Sequence, residues 1–197
     1  MQRVLSIPNP NDRCQRLLIE WAPGFSEEAC EGQGGCSTMF SASDQDDVDR
    51  FFRGLTENVF HGQIGVVDPP LVEYVATLLV RFIRSDDLRV FPYRTAADRE
   101  QLARLLDGVS QPPSAAAIED YRRIGDATLF WTGVYPEALQ RMEPLDYRVV
   151  GRRAYWMASV LEPEEAAGER LLLERLSSEY DVCVAGLAEV RRTWNAA

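Results

Sequence analysis

The chain has 197 residues, 46% hydrophobic and 10% aromatic, enough apolar material for one globular domain with a sizeable core; this excludes bulk disorder. The net charge is −10, and most of it lies in one stretch: between Leu17 and Asp49 stand Glu20, Glu27, Glu28, Glu31, Asp44, Asp46, Asp47 and Asp49 with no basic residue among them. A nucleic-acid binder shows the opposite balance, and no apolar run is long enough to cross a bilayer, so neither nucleic acid nor membrane is an expected partner.

All 21 basic residues are arginine, which removes lysine Schiff-base and lysine general-base chemistry. The four cysteines, Cys14, Cys30, Cys36 and Cys183, show no Cys-x-x-Cys spacing, and His61 is the single histidine. No metal site and no cofactor is expected from such a set. Met1 to Leu18 lacks the apolar block of a secretory signal, so the cytoplasm is the expected location and thiols the expected cysteine state.

In chain order, residues 1–43 read as an irregular acidic segment with short strand-like runs at Val4–Ile7 and Leu17–Trp21, followed by a glycine-rich exposed loop at Gly32–Cys36. Residues 44–197 read as a helical domain. Ser43 is a candidate N-cap for a helix over 44–60, whose apolar stripe is Phe51, Phe52, Leu55 and Val59. Pro69 and Pro70 open a second helix with Leu71, Val75, Leu78 and Phe82 on one face and Glu73, Thr77, Arg81 and Arg84 opposite. A shorter helix is expected near 96–106.

The stretch from Ser114 to Tyr135 reads as a long helix that becomes apolar nearly all round after Ala127, the signature of a central element. Another helix is expected over 145–161. The last is expected to run unbroken from Pro163 almost to the end, with Leu173, Leu176, Tyr180, Cys183, Leu187, Val190 and Trp194 alternating three and four apart as a coiled-coil seam does. That seam finds its partner either in the long helix of the same chain or, if Val190 and Trp194 are left exposed, in a homodimer contact through the C-terminal helix. The expected fold is therefore mainly α, a single-domain bundle of about six helices.

Asp126 stands in the most apolar helix, where a carboxylate must be paired or protonated. Arg122, Arg148 and Arg152 are the candidate partners. With Tyr147 and Tyr155 they form a candidate buried polar site, either an ion pair that fixes helix register or the acid of a pocket. Cys36 is the one candidate reactive thiol, with His61 as its only available imidazole, although the surrounding acids would raise its pKa. Asp44, Asp46, Asp47 and Asp49 lack the spacing of a calcium loop and suit the first turn of a helix.

The stretch Gly125-Asp126-Ala127-Thr128-Leu129-Phe130-Trp131-Thr132-Gly133-Val134-Tyr135-Pro136, followed by Tyr147-x-x-x-Gly151-x-x-x-Tyr155, resembles a family of uncharacterised bacterial proteins. The resemblance covers roughly residues 69–194 and implies kinship without an activity. Independently, Gly125 and Gly133 lie about two turns apart on one helix face, and Gly151 could meet that face; such glycines signal close backbone contact or room for a ligand. No catalytic residue set is complete. The function expected is that of a non-enzymatic interaction or regulatory protein of the bacterial cytoplasm with a protein partner. The alternative is an enzyme or small-ligand binder with a polar pocket around Asp126, Tyr147 and Tyr155.

Overall fold

The structure is a computed structural model that describes residues 42–84, 114–139 and 146–196, together with Leu102. Among these residues the chain is a bundle of six long helices with no strand. Helix α1 (Ala42–Val59) runs into a π-helical turn (Phe60–Ile64) that ends on Gly65, whose positive φ of 80° only glycine adopts at little cost. Helix α2 (Pro69–Arg84) begins on the two prolines. In α3 (Ala115–Val134) the Ser114 hydroxyl caps the first turn, accepting from the Ala117 N–H at 3.1 Å. One turn, α4 (Pro136–Leu139), follows. Helix α5 (Tyr147–Leu161) is capped by Asp146, whose carboxylate accepts from Arg148 N–H at 3.1 Å and Val149 N–H at 3.2 Å.

The chain beyond Pro163 is not one helix. A 3-10 turn (Glu164–Ala166) leads into α6 (Ala167–Ser178), and Glu179 separates it from α7 (Tyr180–Ala196). Glu179 has φ −100° and ψ 20°, outside helical geometry, while the apolar spacing carries on across it. All seven seam residues are nonetheless buried, Val190 at 0% and Trp194 at 8% exposure. Val190 and Trp194, the residues whose exposure would have made a homodimer contact, are thus packed within the chain. Trp194 instead meets Phe52 of α1 edge to face at 5.1 Å between centroids.

Helix α3 is the axis of the bundle. It is buried from Ile124 to Phe130 without interruption, and α5, α7 and α2 pack around it. Helices α5 and α6 form an antiparallel hairpin, tied where Ser177 Oγ donates to the Arg152 carbonyl at 2.9 Å. Helix α1 lies across α2 and α7. No helix among the described residues is long and apolar enough to cross a membrane. The strands and glycine-rich loop expected before residue 42, Cys36 included, lie outside the described residues, as does the helix expected near 96–106 apart from a buried Leu102.

Candidate functional site

The helices meet through glycines. A Cβ at Gly125 would come within 2.7 Å of the Tyr155 ring, and one at Gly133 within 2.7 Å of Leu187 Cβ. At Gly151 the added atom would strike the Tyr180 hydroxyl and Thr128 Oγ1, and at Gly186 the ring of Phe60. Every one of these spaces is filled by a buried side chain of a neighbouring element. The glycines of α3 and α5 thus serve close approach.

Filling Gly125 with Tyr155 places the tyrosine hydroxyl on the next residue. Asp126 is 3% exposed, and its Oδ1 accepts from Tyr155 Oη at 2.7 Å and from Tyr74 Oη at 2.7 Å. Its Oδ2 accepts from Arg81 Nη2, whose side chain is 56% exposed, so the buried carboxylate is joined to the surface through one guanidinium. The Tyr74 and Tyr155 rings stand edge to face, 6.4 Å apart. Burial first, and the negative charge of Asp126 second, hold both phenols above their ordinary pKa, so each remains a proton donor to the carboxylate at neutral pH.

None of the three arginines expected to pair with Asp126 does so, and of the other residues expected at the site only Tyr155 reaches it. Arg122 binds Glu162 and Glu169, both at 2.8 Å. Arg148 and Arg152 lie on the outer side of α5 and share Asp181 of α7, at 3.0 and 2.6 Å. Tyr147 is buried two turns before Tyr155, about 12 Å away along the helix axis. The two side chains that sequence reading missed, Tyr74 and Arg81, come from α2 and reach across 52 and 45 positions. They are seven apart and so share one face of α2, on the flank of the core stripe rather than opposite it as expected for Arg81, but spacing within α2 does not name Asp126 as their partner.

A second polar group lies deeper. Tyr180 is fully buried, and its hydroxyl sits beside those of Thr128 and Thr132, whose own protons go to helix carbonyls. The Tyr180 hydroxyl makes no well-formed hydrogen bond there. Burial raises the pKa of this phenol, and the threonine hydroxyls oppose the rise. His61 is exposed on the π-helical turn. Among the described residues no group of His, Cys, Asp and Glu is arranged to hold a metal ion.

A scan against protein-family models and searches of curated proteins and solved structures found no match to this chain.

Proposed function

We propose that the chain is a non-enzymatic interaction or regulatory protein of the bacterial cytoplasm, with another protein as its partner. The observation that supports this reading is the saturation of Asp126. A carboxylate offers about four acceptor positions; here Tyr74, Tyr155 and Arg81 occupy three of them, and the Tyr155 ring fills the adjoining space at Gly125. A group bound on this many sides fixes the register of α2, α3 and α5 and has little left to offer a substrate. The residues that carry the resemblance to uncharacterised bacterial proteins are then packing residues: Gly125, Gly133 and Gly151 as close contacts, Asp126 and Tyr155 as the buried pair.

The alternative, a ligand pocket around Asp126, Tyr147 and Tyr155, requires Arg81 or Tyr155 to leave the carboxylate. Native mass spectrometry of protein purified without denaturation from its own cells separates the two. The interaction reading expects a second protein at fixed stoichiometry, retained by Asp126→Asn provided that variant folds. A bound small molecule that is lost on Asp126→Asn overturns it in favour of a pocket, and an unaccompanied chain also counts against it.

A further inference from the structure

The outer face of α5 is the one place among the described residues where large apolar side chains line up in the open. Val149 is 58%, Trp156 42% and Val160 58% exposed. With Arg153 they are spaced four, three and four apart, so they fall within an arc of about 60° on the helix. The other exposed large hydrophobics stand singly, Phe51 on α1, Val67 in the loop before α2, Leu171 on α6 and Val182 on α7. The Arg153 guanidinium lies over the Trp156 ring, 4.5 Å from its centroid, which keeps the indole flat against the helix.

Charge runs along this helix in one direction, with Arg153 on the apolar stripe and Arg148 and Arg152 on its flank toward α7. The segment Tyr147–Leu161 contains Arg148, Arg152 and Arg153 in its first half and no acid at all; Glu162, Glu164 and Glu165 follow it directly. Arg148 and Arg152 share the single carboxylate of Asp181, which leaves one positive charge over at that end. Glu162 is paired with Arg122, while Glu164 and Glu165 are exposed. An acidic partner would satisfy the arginine end and be repelled at the other, and a basic partner the reverse. The surface that complements a positive-to-negative stripe is the same stripe turned end for end.

We propose that α5 docks antiparallel against α5 of a second copy of this chain, about a two-fold axis between Arg153 and Trp156. Val149 then faces the partner's Val160, and Arg153 faces the partner's Trp156. The Glu164–Glu165 turn of each copy reaches toward the Arg148–Arg152 end of the other. The four-three-four spacing suits the shallow crossing of two helices at about 20°. Three apolar side chains and their arginine neighbours fall short of the ~800 Å² per partner typical of stable complexes, so the association is weak, reversible and salt-sensitive. This inference goes beyond the interaction reading and can fail separately from it: a monomer that still carries a different protein overturns the dimer alone.

The test is sedimentation velocity on the full chain from micromolar to millimolar concentration, at low and high salt. The wild type is expected to pass from monomer to dimer. Trp156→Ala and Val160→Ser each weaken the dimer by about tenfold or more, Glu164→Arg with Glu165→Arg weakens it and removes most of its salt dependence, and Leu171→Ser, on α6, leaves it unchanged. Circular dichroism confirms that each variant is folded. A chain that stays monomeric throughout overturns the proposal, as does a dimer indifferent to both Trp156→Ala and Val160→Ser.

Discussion

The ring of Tyr155 occupies the volume that a side chain at position 125 would need, with Cε1 2.7 Å from where the Cβ would stand. Because Tyr155 is fully buried and its hydroxyl is committed to Asp126, the ring has no room to swing aside. Gly125→Ala therefore adds strain of about 1–3 kcal/mol, against a helix-propensity gain of about 1 kcal/mol. The expected net effect is destabilisation, measured by urea unfolding. A variant more stable than wild type would show that the two helices can separate without loss.

Gly151→Ala is the more severe change, since its Cβ meets the buried Tyr180 hydroxyl and the Thr128 hydroxyl together. Displacing Thr128 puts its hydrogen bonds to the Ile124 and Gly125 carbonyls at risk on top of the steric cost, and a loss of about 3 kcal/mol is expected. Gly168→Ala, with open space around it on α6, is the control and should be neutral or slightly stabilising.

Removing the buried carboxylate tests the network directly. Asp126→Ala leaves the Tyr74 and Tyr155 hydroxyls without their acceptor, while the half-exposed Arg81 turns to water. At roughly 1–3 kcal/mol per stranded buried group, the loss should be about 3 kcal/mol. Combining Tyr155→Phe with Asp126→Ala should cost less than the sum of the two single changes, because one of the stranded hydroxyls is gone. Additive costs in that double-mutant cycle would mean the pair does not interact.

Alkaline pH offers a second test of the interior. Burial pushes the Cys183 thiol from about 9 to about 12, and Tyr74, Tyr155 and Tyr180 are all held above their ordinary value, again chiefly by burial. A group whose folded pKa exceeds its unfolded pKa contributes fully below the unfolded value and loses that contribution as pH rises toward the folded one. Stability should therefore be insensitive to these four groups below about pH 9, fall first through Cys183, and then fall steeply above about pH 10, each tyrosine adding about 1.4 kcal/mol per pH unit. Ultraviolet tyrosinate absorbance for these residues should rise together with loss of circular dichroism. Ionisation well before unfolding would place the phenols in contact with solvent.

The C-terminal seam makes a separate claim. Trp194→Ala removes an indole packed on Phe52 and should cost about 3 kcal/mol. Deleting residues from Val190 onward also removes Arg191, which holds Glu137 at 2.6 and 2.9 Å, and should abolish cooperative thermal unfolding. A truncated chain that melts as wild type does would make the last two turns of α7 dispensable.

The helices were legible wherever their ends carry local chemistry. Pro69–Pro70, Ser114 and Pro136 each act within a turn of their own position: α2 begins on the two prolines, and α3 begins after Ser114 and ends before Pro136. The break at Glu179 left no such mark, because the three-four alternation of apolar residues continues through it and only the backbone changes. Asp126 was legible as a buried acid, since a carboxylate in so apolar a helix needs company. Its partners were not, because Tyr74 and Arg81 come from another helix far back in the chain, where local spacing carries no pairing information. Arg148 and Arg152 were candidates to reach Asp126 from the next helix, whereas that helix turns them outward to Asp181.

Helix α5 carries one half of each of two interlocking contacts: Tyr155 is a peg set into Gly125 of α3, and Gly151 is a socket that receives Tyr180 at the head of α7. Sliding α5 along either neighbour would have to withdraw a fully buried tyrosine from a gap that only a hydrogen atom leaves open. Shear between these helices is therefore closed as a mode of motion.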